Sequence, residues 1–391
     1  MNKTLRKYKM LKNSITQTGR KNRCSFLYAL AMKELDQYKE ELAEVQKIKN
    51  AGHEHFRKKE VEEKLLSYIE EDENILTIQN KYGKNIGMLA VKYGLTNIAL
   101  RALDNPIASL QQDWMGYNIG MWGCEELNEE VVLKALDNKE ASIQRDFMSK
   151  KNIGMHAACA ELMEATLKAL DNPIASTQKD CNNDNIGMYA AINCMEDAVI
   201  KALDNEKASV QRDDYGFNIG MYAVKYQLED ASIKAMENKK ACKQKDAYKR
   251  NIGQIAADNG FEKIALIALD DHEMSTNLDV WKRNIGMYCV KQGLEEATLK
   301  SLDNTDACIQ KDRSGLNIGM YCALNRNLEG TIKALENSEA CGQYGKNVDD
   351  IYSIALTHFN DEEMEVINES ISKRVQESFD EFEQTESEMV E

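Results

Sequence analysis

A four-residue phrase, Asn-Ile-Gly-Met or a close variant of it, recurs along the chain at an almost constant interval. Its asparagine stands at eight positions: Asn85, Asn118, Asn152, Asn185, Asn218, Asn251, Asn284 and Asn317. Six of the intervals are 33 residues and one is 34. A fixed period of this length indicates stacked supersecondary units that bury one continuous core between neighbours. The chain is therefore predicted to be a repeat protein, in which most recurring residues are structural.

Each repeat reads as a turn followed by two helices, as residues 213–245 illustrate. Asp213 and Gly216 form an Asp-x-x-Gly pattern, which is typical of turns. Asn218 stands where a first helix should begin, because its side chain can accept a hydrogen bond from an otherwise orphaned backbone N–H. A second helix is predicted from Leu228 onward. Glycine is a poor helix former, so its recurrence at the second helical position predicts a close backbone approach from the next repeat.

The opening Asp-x-x-Gly-x-Asn-Ile-Gly-Met-Tyr-Ala resembles that of the ankyrin repeat, in which Thr-Pro-Leu-His-x-Ala follows Asp-x-x-Gly-x. The ankyrin period is also 33 residues, and the resemblance covers roughly residues 50–355. It implies an all-α dominated repeat solenoid, an ankyrin-like stack of helix pairs with β-turn fingers. The Pro, Leu and His of the family motif are absent from every repeat. Another helix-pair solenoid of similar period therefore stays open, whereas the tetratricopeptide pattern is missing.

Composition divides the chain into four segments. They are a basic arm and N-terminal helix (1–50), a degenerate N-terminal capping repeat (51–80), an ankyrin-like array of about eight repeats (81–345), and a C-terminal cap with an acidic tail (346–391). The apolar stripe of the N-terminal helix is Leu35, Tyr38, Leu42 and Val45. A last, altered phrase begins at Asn347, 30 residues after Asn317, which predicts a shortened loop before the C-terminal cap.

The residues just before each recurring asparagine vary most between repeats, and they are rich in aromatic and basic types. Exposed Trp, Tyr and Arg dominate the energy of protein interfaces. The resemblance implies binding along the fingertips and the concave face of the first helices. The predicted partner-binding residues are Trp114, Tyr117, Lys151, Tyr215, Phe217, Tyr248, Arg250, Trp281 and Arg283. The opposing interpretation is that these aromatics fold onto the neighbouring turn and stabilise it.

Two further columns have structural explanations. An aspartate opens seven turns and is predicted to cap them: Asp113, Asp146, Asp180, Asp213, Asp246, Asp279 and Asp312. The residue after each Met, or after the Gln that replaces it at 254, forms a mainly aromatic column, for which packing between repeats is predicted: Leu89, Trp122, His156, Tyr189, Tyr222, Ile255, Tyr288 and Tyr321.

The sequence lacks the patterns of known catalytic chemistry. It contains no Gly-x-Gly-x-x-Gly, phosphate loop or Gly-x-Ser-x-Gly motif. His53-Glu-His55 lacks further ligands at useful spacing for a metal site. We therefore expect no catalytic residue, no metal and no cofactor. An enzyme that uses the array as a targeting arm is disfavoured, because the flanking segments are too short to enclose an active site of usual size.

The leading hypothesis is a non-enzymatic scaffold or adaptor that binds a partner protein. Basic turns on a chain of net charge −15 would suit an acidic segment of that partner. The same net charge argues against nucleic-acid binding by the whole body. Residues 1–23 carry eight basic residues and no acid, so the alternative function is electrostatic binding of nucleic acid or a membrane surface through this arm.

Cysteine usage bears on the compartment. Cys242, Cys308 and Cys341 occupy a column that holds Ser in other repeats, so they indicate small packing residues and not a disulfide framework. A reducing, cytoplasmic location is expected, and secretion as an effector stays open. No apolar run reaches the length of a membrane span. Because both ends of the array look capped, we expect a monomer.

Overall fold

The structure is a computed structural model that describes residues 25–40, 51–345 and 349–373, together with residue 376. It divides into two compact bodies, with the division between Ala198 and Val199. All regular secondary structure in the described part of the chain is helical. The basic arm 1–23, the predicted Leu42 and Val45 of the N-terminal stripe, and Asn347 lie outside the described residues.

Every repeat contains two helices, and in seven of the eight repeats these two helices pack against each other. The first helices are Ile86–Lys92, Ile119–Glu125, Ile153–Cys159, Ile186–Ile192, Ile219–Lys225, Ile252–Asp258, Ile285–Gln292 and Ile318–Leu324. The second helices are Thr96–Leu103, Glu129–Leu136, Met163–Leu170, Glu196–Leu203, Glu229–Glu237, Glu262–Leu269, Glu295–Leu302 and Leu328–Glu336. The predicted all-α chain of helix pairs is thus confirmed.

A short helical turn follows most second helices. These turns are Ala108–Leu110, Lys139–Ser142, Ala175–Thr177, Glu206–Ser209, His272–Ser275, Thr305–Cys308 and Ser338–Cys341. Asparagine or aspartate caps several of them. For example, the Asn138 side chain accepts hydrogen bonds from the backbone of Glu140 and Ala141. Because the turns satisfy their own backbone groups in this way, they form compact connections to the next repeat.

The recurring asparagine caps the first helix in all eight repeats, as predicted. In the Asn284 repeat, the side-chain oxygen accepts a hydrogen bond from the backbone of Met287 at 3.1 Å. The side-chain amide also donates to the carbonyl of Ala307 at 2.8 Å and to Oε1 of Gln310 at 2.9 Å. Asn284 is fully buried. Its three bonds therefore join the start of the first helix to the segment after the second helix.

A glutamine column continues this network into the preceding repeat, and the sequence analysis did not single it out. The Gln310 amide donates to the carbonyl of Thr276, which lies 34 residues earlier, at 2.9 Å. The equivalent bonds are made by Gln111 to Thr77, Gln144 to Leu110, Gln178 to Ile143 and Gln244 to Val210. These five caps are thus each linked through one amide side chain to the preceding repeat.

The Asn251 repeat departs from this pattern at two positions together. Gln254 replaces the buried Met, and Asn277 replaces the column glutamine. The Gln254 amide donates to the carbonyls of Asn277 and Arg283 at 3.1 and 2.6 Å, while its oxygen accepts from Asn277 Nδ2. Gln254 is fully buried. The two changes compensate each other, because the polar groups of Gln254 and Asn277 form hydrogen bonds with each other.

We expect Gln254→Met alone to lower the free energy of unfolding by about 2 kcal/mol, because it leaves buried polar groups without partners. The double variant Gln254→Met with Asn277→Gln restores the pattern of the other repeats, and it should recover most of that loss. Chemical denaturation of the wild type, both single variants and the double variant gives the coupling energy. Simple additivity of the two single effects would contradict this pairing.

The recurring glycine lies in a tight contact, but the approach differs from the predicted one. An added Cβ on Gly120 would lie 2.7 Å from the Ala135 methyl in the same repeat and 2.7 Å from Ile153 Cδ1 in the next. The expectation that the backbone of the next repeat approaches this glycine was therefore wrong, because the nearest atoms belong to side chains. Side chains from two different helices fill the space beside the glycine instead. A larger residue would therefore fit only if both of these helices moved.

The N-terminal helix of residues 25–40 docks on a longer helix, Ala51–Glu71. Leu35 and Tyr38 of the predicted stripe are buried. Glu34, also buried, forms ion pairs with Arg57 at 3.6 Å and Lys64 at 2.5 Å. Residues 51–80, which were predicted to form a degenerate N-terminal capping repeat, contain this helix and a short 3-10 helix, Glu73–Thr77.

The C-terminal cap keeps the period, contrary to the prediction of a shortened loop. The helix Ile351–His358 is capped by Asp350, whose side chain accepts from the Ser353 backbone. Asp350 follows Asn317 by 33 residues, so it occupies the cap column where Asn347 had been placed. Tyr352 replaces the recurring glycine, and a last helix spans 361–373.

The repeat cysteines are packing residues, as predicted. Cys242, Cys289, Cys308 and Cys322 are buried free thiols, and Cys341 is partly buried. Burial raises the pKa of Cys308 to about 11 and that of Cys289 to about 12. These thiols therefore stay protonated and unreactive at neutral pH.

Candidate partner-binding turns

Five-residue turns precede most first helices, and the aspartate column builds them. In the turn 246–250, Asp246 Oδ1 accepts from the backbone of Tyr248 at 2.9 Å and of Arg250 at 2.8 Å. The Asp246 N–H donates to the Arg250 carbonyl at 3.0 Å, which closes the turn. Asp213 and Asp279 make the same pairs of bonds. The prediction that these aspartates cap turns is confirmed.

The second carboxylate oxygen of five of these aspartates accepts a hydrogen bond from the aromatic column of the same repeat. Tyr222 and Tyr288 donate their hydroxyl groups to Asp213 and Asp279, both at 2.7 Å. Trp122, Tyr189 and Tyr321 make the equivalent bonds to Asp113, Asp180 and Asp312. The column therefore tethers each turn to its own first helix, a role that the expectation of packing between repeats did not include.

One repeat exchanges this tether for another. Ile255 cannot donate a hydrogen bond, and in that repeat Arg250 Nε donates to Asp246 Oδ2 at 2.9 Å instead. The same guanidinium pairs with Asp258 at 2.8 Å. Arg250 thus connects its turn to the first helix, as the column tyrosine does in other repeats.

Consecutive turns within each body are joined by backbone hydrogen bonds. In the C-terminal body, Ala247, Val280 and Arg313 donate to the carbonyls of Tyr215, Tyr248 and Trp281 at 2.8, 2.9 and 3.0 Å. In the N-terminal body, Trp114 and Phe147 donate to Tyr82 and Met115 at 3.1 and 2.8 Å. A side chain displayed on one turn is therefore held in a fixed relation to its neighbour in the same body.

Four of the nine predicted binding residues are exposed at these turns. The exposed fractions are 68% for Trp114, 71% for Tyr215, 49% for Tyr248 and 38% for Trp281. Tyr248 and Trp281 stack with their ring centroids 5.4 Å apart. The hypothesis that turn aromatics fold onto the neighbouring turn thus describes this stacked pair, which still presents a large apolar surface to solvent.

The other five predicted residues are partly buried and contact other side chains of the chain. Tyr117 packs edge-on against Trp122 and His156, and burial raises its pKa to about 12. Phe217 packs on Tyr222, and Lys151 lies over the Tyr189 ring. Arg283 lies over the rings of Trp281 and Tyr288, and Arg250 is ion-paired as described. These five stabilise the base of the turns, and their part in binding stays a prediction.

Three lysines occupy a backbone position that favours glycine. Lys150, Lys249 and Lys282 have φ values of 64°, 63° and 62°, whereas the equivalent turns use Gly83, Gly116, Gly216 and Gly315. A side chain in left-handed backbone costs about 1 kcal/mol or more, and strain of this kind concentrates at functional sites. None of these three lysines is among the nine predicted partner-binding residues. Their place at the Gly position of Asp-x-x-Gly could have identified them.

His156 replaces the column tyrosine and makes one turn sensitive to pH. Its Nε2 lies 3.3 Å from Asp146 Oδ2, and Nδ1 lies 3.7 Å from Glu125. Burial lowers the pKa of His156 despite these carboxylates. The unfolded chain therefore takes up a proton first, near pH 6.5. The stability that the neutral ring contributes is complete above about pH 6.5 and is lost as the pH falls towards the folded pKa.

We expect the unfolding free energy of the wild type to decrease between pH 7.5 and 5, and His156→Tyr to reduce this slope. Tyrosine keeps the bond to Asp146, as in the neighbouring repeats, and does not titrate in this range. Denaturant unfolding at several pH values measures both slopes. Equal slopes for the two proteins would show that His156 stays as easily protonated in the folded chain as in the unfolded one.

Comparison of the chain with protein-family models and with curated proteins gave no match. Within the described residues, no group of three or more His, Cys, Asp and Glu side chains is arranged to hold a metal ion. No helix in the same part of the chain is long and apolar enough to cross a membrane.

Proposed function

We propose that this chain is a non-enzymatic scaffold that binds a partner protein through its inter-repeat turns. In this proposal the turns correspond to ankyrin-like β-turn fingers, and the helix pairs stack as a solenoid. The observation that carries it is the exposure of Trp114, Tyr215, Tyr248 and Trp281 on turns whose backbones are fixed to one another within each body. Rigid, exposed aromatics provide contact area at a low entropic cost on binding.

An acidic segment of the partner fits the charges of the C-terminal body best. Lys249, Lys282 and Arg313 are exposed on three successive turns, beside Tyr248 and Trp281. Arg250 is already neutralised by Asp246 and Asp258, so the three exposed cations carry the attraction. Buried free thiols fit a reducing compartment.

The test is a comparative pull-down from nuclease-treated lysate of the native source, read by mass spectrometry. The baits are the wild type and a variant carrying Trp114→Ala, Tyr215→Ala and Trp281→Ala. We expect a protein that the wild type retains and the folded variant loses. The matched control replaces three other exposed apolar side chains, which lie outside the five-residue turns, with Ala: Ile107, Ile174 and Leu356. This control should retain the same protein.

A further bait, Lys249→Asn with Lys282→Asn, tests the charge. Asparagine tolerates left-handed backbone, as Asn183 shows in the equivalent turn at φ 66°. The variant should keep its stability and bind the partner about tenfold more weakly at low salt, with a smaller dependence on salt. If all baits retain the same proteins, or none retains any, binding by the turns is refuted.

A further inference from the structure

A cavity of ≈ 330 Å³ lies between the helix of residues 25–40 and the first repeat. Six of its lining side chains are of two kinds: the lysines Lys39, Lys84 and Lys92, and the aromatics Tyr82, Tyr93 and Trp114. The volume is within the range of small-molecule sites, which is roughly 300–1,000 Å³.

The cavity occurs where the first repeat departs from two of the repeat columns. Asn80 replaces the column aspartate, and Leu89 replaces the column aromatic. Asn80 still caps its turn, since its side-chain oxygen accepts from the backbone of Tyr82 at 2.9 Å and Lys84 at 3.0 Å. Asparagine at position 80 therefore keeps the turn but removes a negative charge. Leucine at position 89 lacks the ring that most other repeats hold against the turn at this position.

The positive charge around the cavity is only partly compensated, because Lys84 Nζ lies over the Trp122 ring, 3.5 Å from its centroid, and the charges of Asp113 and Glu126 also act on it. Among the described residues, no carboxylate lies within 4.0 Å of the Lys39, Lys84 or Lys92 amine. Burial lowers the pKa of Lys84 and the positive charge of Lys92 lowers it further, whereas the charges of Asp113 and Glu126 act to raise it. Asp36 is the acid in the lining, so three lysines and one aspartate leave a formal charge of +2. The turn 246–250 shows the contrast, because there the column aspartate pairs with Arg250.

The aromatic side chains give the same cavity flat apolar surfaces. Trp114 and Tyr82 are 68% and 50% exposed, and Tyr93 is partly buried. Aromatic faces of this kind stack on planar rings. The cavity thus combines two features, three lysine side chains without a direct ion pair and aromatic side chains, within one small volume.

We propose that this cavity binds a phosphate monoester attached to a planar ring. A phosphate monoester carries about −1.5 to −2 charges at neutral pH, which is opposite in sign to the formal +2 of the lining residues. Lysine ammonium groups bind phosphate as point charges, and the ring contacts the aromatic side chains. Two sources share this chemistry, a phosphotyrosine side chain of another protein and a nucleoside monophosphate. The proposal does not rest on binding by the turns of the C-terminal body.

The experiment titrates the full chain with phenyl phosphate and follows tryptophan fluorescence and heat of binding. Phenol and inorganic phosphate are titrated separately, and each should bind at least tenfold more weakly than phenyl phosphate. A phosphotyrosine peptide and adenosine monophosphate then distinguish the two sources by which binds more tightly. If phenyl phosphate bound no more tightly than phenol or inorganic phosphate, the proposed site would be refuted.

The variants follow from the repeat itself. Asn80→Asp with Leu89→Tyr gives the first repeat the residues of its neighbours, and it should reduce phenyl phosphate affinity at least tenfold while the chain stays folded. Lys92→Met alone should also weaken binding about tenfold. The matched control is Lys225→Met, which removes a lysine from the same repeat position in the C-terminal body and should leave the affinity unchanged. Undiminished binding by either cavity variant, once folded, would overturn the proposal.

Discussion

Replacing Asn284 with Ala should lower the free energy of unfolding by about 4 kcal/mol, far more than the loss of an ordinary helix cap. A cap on an exposed helix contributes about 1 kcal/mol. Asn284 is fully buried and makes three bonds, to the Met287 backbone, the Ala307 carbonyl and Gln310 Oε1. Removing its side chain takes the partner from the Met287 N–H and from Gln310 Oε1, and the Ala307 carbonyl keeps only its backbone donors; a buried polar group without a partner costs about 1–3 kcal/mol.

The variant Asn284→Asp separates the cap from the network. Aspartate keeps the oxygen that caps the helix, but it has no amide to donate to Ala307 and Gln310. If capping were the whole role, this variant would be as stable as the wild type. We expect it to be at least as destabilised as Asn284→Ala at neutral pH, because a buried carboxylate would face two acceptor oxygens. Urea unfolding, monitored by circular dichroism, measures both variants.

The parts of the fold that local chemistry determines could be predicted from the sequence. The period located the helix pairs, and asparagine as an N-cap follows from one residue and the backbone beside it. Asp246 as a turn cap is equally local, because its partners lie two and four residues away. Locating a repeat by the identity of its cap residue failed at the C-terminal cap. Asn347 was chosen for its identity, although counting 33 residues from Asn317 leads to Asp350.

What could not be predicted depends on contacts between distant positions. Gln310 recurs visibly, but its bonds reach 26 and 34 residues back, and no local rule connects those positions. The nine predicted binding residues separate into an exposed group and a partly buried group for a similar reason. Trp281 and Arg283 are two residues apart in one turn, yet one is exposed and the other lies over a ring of the first helix. The Arg283 guanidinium also lies over the Trp281 ring, 4.8 Å from its centroid, and only the folded turn shows this arrangement.

Gly120→Ala should destabilise the chain by about 3 kcal/mol, although alanine is the better helix former by about 1 kcal/mol. The new methyl group would lie 2.7 Å from both the Ala135 methyl and Ile153 Cδ1. These contacts belong to two different elements, so the whole packing between adjacent repeats must open to relieve them, and overpacking of this kind outweighs the gain in propensity. Thermal and urea unfolding of the variant measure the cost.

The matched control for this variant is Gly94→Ala. Gly94 has a φ of 70° and nothing within 4 Å of an added Cβ, so alanine there meets backbone strain but no neighbour. Other repeats hold non-glycine residues at that position, such as Leu127 at φ 53°. The expected cost is therefore about 1 kcal/mol. A cost for Gly120→Ala no greater than that of Gly94→Ala would mean that adjacent repeats can separate freely, and then the recurring glycine would not be explained by packing between repeats.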